Sequence, residues 1–280
     1  MIFDNRPCAL GEGPLWHPLR EQLFWFDILG RRLLSRSDDG PQEWHFADMV
    51  SAAGWISRDE LLIASERALF RFNVETGEKV HVKGLDLETS TTRSNDGRAD
   101  PFGGFWIGTM GKAAEVGAGA IWRFHRGVLR QIFPKITIPN AICFAPDGRT
   151  AFFSDTVTGC VMRTALDAEG WPKGQPEIFL DLTAEGLNPD GAVIAADGTM
   201  WLAQWGAGRV AAYAPDGQMV RSVAFEAPHT SCPAFGGETL YCTTALQGMD
   251  APARAAWPMA GMTFAAPGVA KGQTEHQVIL

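Results

Sequence analysis

The chain is expected to be all-β, a six-bladed β-propeller with four antiparallel strands per blade. Three observations predict this. Apolar strand-like runs recur at a long, near-constant period. Turn signals of the Asp-Gly type separate short runs throughout. Helical periodicity over a helix-length window is scarce, and the 31 Gly and 17 Pro among 280 residues argue against long helices.

The elements can be placed in order. The apolar runs centre on Trp25, Ile63, Trp106, Phe152, Trp201 and Tyr241, at intervals of 38, 43, 46, 49 and 40 residues. A second β-like run follows each one: Arg32 to Ser35, Ala68 to Phe72, Ala120 to Phe124, Cys160 to Thr164, Arg209 to Tyr213 and Gly261 to Ala265. A further piece follows most of these, at Glu43 to Phe46, Lys79 to Val82, Val128 to Phe133, Glu177 to Leu182 and Met219 to Phe225. Asp38-Asp39-Gly40, Thr76-Gly77, Asp147-Gly148, Asp197-Gly198 and Asp216-Gly217 supply turns between them. Asp-Gly between alternating apolar runs is a strong hairpin signal. Each unit thus reads as four short strands, and units of about 40–50 residues are propeller blades. A pair of β-sandwiches shares the turn spacing but gives no reason for a sixfold unit. Residues 1–280 are expected to form a single domain. Either Met1 to Asp4 or Gln277 to Leu280 can complete the last blade as its outer strand.

Bulk composition excludes some functions. A charged fraction of 20% and a hydrophobic fraction of 46% indicate an ordinary globular protein. A net charge of −8 disfavours nucleic acid as a partner, because phosphate binding needs a basic face. No apolar run approaches the ~18 residues that span a bilayer, so no membrane partner is expected. Met1 to Leu10 lack the apolar stretch of a signal peptide, which makes the cytoplasm the expected location. The five cysteines are scattered without a C-x-x-C pair, against a disulfide framework or a thiolate zinc site.

Four polar residues keep nearly the same offset from the aromatic frame. Glu12 precedes Trp25 by 13 residues, Asn95 precedes Trp106 by 11, Asn140 precedes Phe152 by 12 and Asp190 precedes Trp201 by 11. The first strand of a propeller blade lines the central channel. With the aromatic runs taken as those strands, the four residues sit just ahead of them and converge at one mouth. The same offset falls near Ser51 in the second unit and His229 in the sixth, which completes a rim. Two carboxylates and amide oxygens suit a hard divalent cation such as Ca²⁺, Mg²⁺ or Mn²⁺, with Zn²⁺ possible.

Taken alone, Asn95-Asp96-Gly97 and Pro189-Asp190-Gly191 read as turns, since Asn and Asp before Gly are turn formers. Glu12 between Gly11 and Gly13 is different, because a turn has no use for Glu. Registration across four repeats favours a site. His229 reads as a rim or packing residue. His17, His45, His81, His125 and His276 lack ligand spacing and are expected at the surface. There is no G-x-S-x-G, no H-E-x-x-H and no P-loop. Gly11-Glu12-Gly13 begins like a dinucleotide fingerprint, but Trp16 stands where the third Gly belongs.

At these residues the chain resembles the SMP-30/gluconolactonase/LRE family, which includes regucalcin and bacterial sugar lactonases. Leu10-Gly11-Glu12-Gly13-Pro14-Leu15-Trp16 is similar to the family's first-blade motif. Arg93-Ser94-Asn95-Asp96-Gly97, with Asp100-Pro101 and Gly108-Thr109-Met110, resembles the third. Ile138-Pro139-Asn140 with Pro146-Asp147-Gly148 resembles the fourth, and Pro189-Asp190-Gly191 with Trp201 the fifth. Phe235-Gly236-Gly237 and Gly248-Met249-Asp250 resemble the sixth. The resemblance implies one divalent metal held by Glu12, Asn140 and Asp190, and a substrate-binding pair in Arg93 and Asn95. Regucalcin-like members carry a glutamate shortly after Gly-Thr-Met. Here Gly111-Lys112-Ala113-Ala114 follow, and Glu115 comes two positions late. Either Lys112 takes over that substrate-binding place or the pocket is rebuilt.

The expected function is metal-dependent hydrolysis of a sugar lactone to the aldonic acid, with Asp190 as general base for a water. Three other readings stay open: a calcium-binding regulatory protein without catalysis, a metal-dependent esterase or phosphotriesterase, and a propeller that binds protein on its rim.

Overall fold

The computed structural model describes residues 1–280 and contains six four-stranded antiparallel sheets. The innermost strands are Gly11–His17, Val50–Trp55, Thr92–Ala99, Pro139–Phe144, Asn188–Ile194 and Thr230–Gly236. Each packs against the innermost strands of both neighbouring blades, and the last packs against the first, which closes a ring. The expected six-bladed β-propeller is therefore the observed fold.

The aromatic runs lie one strand further out than expected. Gln22–Asp27, Phe105–Gly111, Thr150–Asp155 and Met200–Trp205 are second strands, sandwiched between blades. Trp25, Trp106 and Trp201 are all but fully buried there. Trp106 meets Phe144 of the next blade edge-on with ring centroids 5.3 Å apart, and Trp201 meets Phe235 likewise at 5.9 Å. An aromatic ring of this kind is the largest apolar contribution one side chain can make to an interblade seam. The innermost strands carry Gly, Pro and polar residues instead, because one of their faces lines the channel. Strand alternation is therefore weak exactly where the channel is, and Asn95-Asp96-Gly97 and Pro189-Asp190-Gly191 are strand segments rather than turns.

The N-terminus closes the ring. Ile2–Asp4 pairs with Thr263–Ala266 as the outer strand of the sixth blade. Buried Asp4 then accepts hydrogen bonds from Arg6 at 2.9 Å and Arg36 at 3.1 Å, which ties the sixth blade to the first. Gln277 to Leu280 form no strand. The C-terminal segment instead crosses the channel mouth opposite the one rimmed by Glu12 and Asp190. Lys271 accepts from Ala196 N–H at 2.9 Å, and Gln273 donates to the carbonyls of Phe144 and Ile194 at 3.1 and 2.9 Å. Val278 and Ile279 donate to Trp55 and Gly103 at 2.9 and 2.8 Å. Glu275 is buried and ion-paired with Arg98 of the third blade's innermost strand.

A single short α-helix, Ala251–Ala256, sits between the second and third strands of the sixth blade and is capped by Asp250, which accepts from Ala253 N–H at 2.9 Å. No helix is long and apolar enough to cross a membrane. His17, expected at the surface, is fully buried, and its Nε2 lies 2.9 Å from the Ser57 carbonyl of the second blade.

Val278 is 1% exposed and packs among Ala52, Ala99 and Phe105, whereas Leu280 is 44% exposed. Val278→Ala is expected to cost about 1–3 kcal/mol in urea denaturation, and Leu280→Ala less than about 0.5 kcal/mol. Equal midpoints for the two variants would show that the tail is not packed as described.

Candidate functional site

All six innermost strands carry a register shift near the same end: between Glu12 and Leu15, Val50 and Ala52, Ser94 and Gly97, Asn140 and Cys143, Pro189 and Ala192, and Thr230 and Pro233. A bulge re-aims side chains and disrupts the ladder locally. Glu12 and Asn140 are the last paired residues before their bulges, opposite Phe26 and Ser154. Asn95 and Asp190 are one residue further on, inside theirs. The offsets differ with this and with where the aromatic sits on each second strand, yet the four side chains still converge. Crowding at the axis restricts what can follow them. Gly13 has φ 51°, and a Cβ there would collide with the Ser51 carbonyl. Ala141 holds the same left-handed conformation, φ 54°, after Asn140.

A cavity of about 530 Å³ opens at this mouth and is lined by Glu12, Arg93, Asn95, Lys112, Asn140 and Asp190, together with apolar residues. Every predicted site residue thus faces one space. Ser51, Glu115 and His229 lie outside that lining. Ser51 donates to Ser94 Oγ at 2.8 Å, Glu115 accepts from Ala113 N–H at 3.1 Å, and His229 stacks on Trp205 with centroids 4.4 Å apart.

A chain of hydrogen bonds fixes the polar groups. Arg93 Nη1 donates to Asn95 Oδ1 and to the Ser94 carbonyl, both at 2.8 Å. Asn95 Nδ2 donates to Asn140 Oδ1 and to the Pro139 carbonyl, both at 3.0 Å. Asn140 Nδ2 donates to Thr156 Oγ1 at 2.8 Å, and Thr156 donates to the Pro189 carbonyl at 2.8 Å, one residue before Asp190. Asn95 has both ends of its amide engaged within the protein. Asn140 has its amide nitrogen tied back by Thr156, which sets where its oxygen faces.

Glu12 and Asp190 are buried acids with little to offset them. Glu12 accepts one N–H, from Gly13 at 3.2 Å. The surrounding cations are engaged elsewhere: Arg98 with Glu275, Lys112 with Glu66, and Arg93 with Asn95 and a carbonyl. Burial, then the charge of Asp96, pushes the Glu12 carboxyl up to about 8. Burial, then Glu12 and Asp96, pushes Asp190 well above the usual carboxylate range. Burial raises Asp96 to about 6 although it accepts from Ile142 N–H at 2.8 Å. Burial lowers Arg93 to about 10 against the pull of Glu12, Glu66 and Asp190. No three His, Cys, Asp or Glu side chains form a ligand cluster by themselves. Two under-compensated carboxylates and an oriented amide oxygen are nonetheless the donor chemistry of a hard divalent cation, which would replace the protons they hold.

Sequence reasoning missed four residues here. Asp96 looked like part of a turn. Thr156 follows the second strand of its blade with no motif. Glu66 belongs to the unit without a carboxylate or amide at the repeat position. Trp205 ends an apolar run with nothing in the sequence to separate it from Trp201 four residues before.

The SMP-30/Gluconolactonase/LRE-like region model matches residues 10–246. A Rhizobium meliloti (strain 1021) protein, provisionally named a sugar lactone lactonase, is 43% identical over 98% of this chain and 95% of its own. L-arabinolactonase of Azospirillum brasilense is 32% identical over 99% of this chain and 92% of its own. The crystal structure of a calcium-binding protein, regucalcin, from Agrobacterium tumefaciens str. C58 superposes with a TM-score of 0.97 at 38% identity, covering 100% of this chain and 97% of that one.

A carboxyl raised from 4.5 in the open chain to about 8 in the fold makes the native state hold more protons across that window. Rising pH then favours unfolding. In chelator, the Glu12 contribution is expected to lower the urea midpoint as pH rises from about 4.5 to about 8. Glu12→Gln removes that contribution, so its midpoint should fall less over the same range. Identical pH profiles for the two proteins would rule out this role for Glu12.

Proposed function

Because the chain belongs to the SMP-30/gluconolactonase/LRE-like family, we propose that it hydrolyses a sugar lactone to the open aldonic acid. The observation that carries this reading is the cavity itself. Two buried, under-compensated carboxylates and one oriented amide oxygen share it with a guanidinium that has donors to spare. The names of the relatives as lactonases support the substrate class.

Glu12, Asn140 and Asp190 would hold a divalent cation. Such an ion, when bound, polarises a carbonyl oxygen and lowers the pKa of a water toward ~7. Asp190 accepts the proton of the attacking water, whose oxygen bonds to the lactone carbonyl carbon. The ring C–O bond then breaks, and the released ring oxygen takes that proton back from Asp190 to become a hydroxyl. Asp190 is buried in the cavity wall, where a water attacking a bound lactone would meet it. Arg93 Nε and Nη2 make no hydrogen bond within the protein, so they are available to substrate oxygens, and Asn95 holds the guanidinium in place through Nη1. Thr156 and Asn95 together orient Asn140. The apolar side of the cavity, including Met110, Ile138 and Val157, covers the carbon face of a ring and excludes water.

A second reading is suggested by the likeness to a calcium-binding protein: ion binding without catalysis. The same donors would serve it. Arg93 favours the enzyme, because an ion site gains nothing from a desolvated guanidinium beside it.

Asp190→Ala is expected to lower kcat for aldonolactone hydrolysis by about 10²–10⁴-fold while circular dichroism and thermal unfolding show an intact propeller. Full activity in that folded variant would exclude Asp190 as the base. Chelation is expected to abolish turnover across a panel of aldonolactones, and restoring one of Ca²⁺, Mg²⁺, Mn²⁺ or Zn²⁺ to recover it. Turnover indifferent to chelation would overturn the metal-dependent reading.

A further inference from the structure

One position of the blade repeat stands at this mouth six times. It lies at or just past the end of the second strand, across from the residue one before the last pair ahead of each bulge. Its occupants are Asp27, Glu66, Met110, Asp155, Trp205 and Ala245. In two blades it is a clamp. Asp27 accepts from the N–H groups of Ala9 and Leu10 at 3.1 and 3.0 Å. Asp155 accepts from those of Thr137 and Ile138 at 2.8 and 2.9 Å. Both carboxylates therefore use both oxygens on the backbone just ahead of Glu12 and Asn140, and Asp27 is also ion-paired with Arg32 of its own blade at 3.1 Å.

Glu66 does this with one oxygen only. Its Oε1 accepts from Met49 N–H at 3.1 Å. Its extra methylene leaves Oε2 turned toward the neighbouring blade, where it is ion-paired with Lys112. The Glu66 side chain is 12% exposed and the Lys112 side chain 40%. Lys112 is the only lysine lining the cavity. Three blades away, on the opposite side of the ring, the same position holds Trp205, which lines the cavity with His229 stacked on it.

The charges here balance in a particular way. Glu12, Asp96 and Asp190 against Arg93 leave an excess of two negative charges, which one divalent ion offsets. Lys112 is answered by Glu66. No net positive charge is left for an acidic substrate.

We propose that the Glu66–Lys112 pair is the charge filter of this pocket and restricts it to neutral, polyhydroxylated lactones. Lys112 donates hydrogen bonds to substrate hydroxyls at the lip, and Glu66 is the positioning residue that holds it there and cancels its charge. Trp205 across the mouth takes the C–H face of the ring. The inference rests on the lactonase reading and adds the substrate class to it.

Glu66→Gln separates the two jobs of this residue, because its amide oxygen can still accept from Met49 while the charge facing Lys112 is gone. The probes are galactono-1,4-lactone and galactaro-1,4-lactone, which differ at one end as hydroxymethyl against carboxylate, and the matching non-hydrolysable lactams. The metal-loaded wild type is expected to prefer the neutral member of each pair in both kcat/KM and Kd. Glu66→Gln is expected to move that ratio toward the acidic member by up to about fivefold, the size of one partly exposed charge contact. Glu66→Gln combined with Lys112→Met should lose the gain. Turnover of the lactones with an unchanged ratio in folded Glu66→Gln overturns the charge filter and leaves the lactonase reading standing. No turnover, but a shifted lactam ratio, upholds the filter and removes the catalysis. Neither turnover nor selective lactam binding overturns both.

Discussion

Everything at this site depends on the crowding of six innermost strands around one axis. Backbones that converge there leave no room for ordinary side chains on every residue, and each strand yields at the same place by a bulge. Glycine is required where the approach is tightest. A Cβ on Gly13 would strike the Ser51 carbonyl, and one on Gly191 would strike Cys232. The bulge turns a polar side chain inward beside a glycine, and the ring repeats this until acids, amides and hydroxyls face one another. Glu12 and Asp190 are neighbours because the ring closes, not because anything in their local sequence draws them together.

That arrangement opposes folding. Two buried carboxyls with raised pKa values are a cost that no surface ion pair offsets. The opposing stabilisation is spread around the ring, in the buried aromatic seams between blades and in clamps such as Asp27 and Asp155. The site is rigid for the same reason. Asn140 is fixed by Asn95 on one side and by Thr156 on the other, so a ligand meets a preformed oxygen rather than one it must order.

Much of the propeller was legible because its outer strands look like strands. Trp25, Trp106 and Trp201 announce apolar runs at blade spacing, and Asp-Gly pairs punctuate them. The innermost strands were not legible. Their channel face is polar, their bulges break the alternation, and Asn95 to Gly97 or Pro189 to Gly191 look like turns for that reason. Glu12, Asn95, Asn140 and Asp190, which line one cavity, share a nearly common offset from an aromatic frame that lies one strand further out, whereas Arg93 and Lys112 were named through the family resemblance. Asp96 stayed hidden behind Asn95 because a two-residue bulge and an Asn-Asp-Gly turn have the same letters. Glu66 had no signal at all, since its partner lies in the next blade. The C-terminal tail was unreadable for a related reason: its hydrogen bonds go singly to different blades, and no periodicity accompanies them.

The crossing of the far mouth by this tail, and the pairing of Ile2–Asp4 with Thr263–Ala266, have a consequence for how the molecule is made. A chain emerging from the ribosome builds blades one to five in order, each from local hairpins. Its first strand must wait unpaired through more than 250 residues of synthesis for the strand it completes. Trp55 and Gly103, made early, receive their last backbone partners from Val278 and Ile279. The nascent ring therefore stays open, with sheet edges exposed, until residues 263–279 have been made. That is the interval in which a slow, long-range closure is most vulnerable to pairing with another chain.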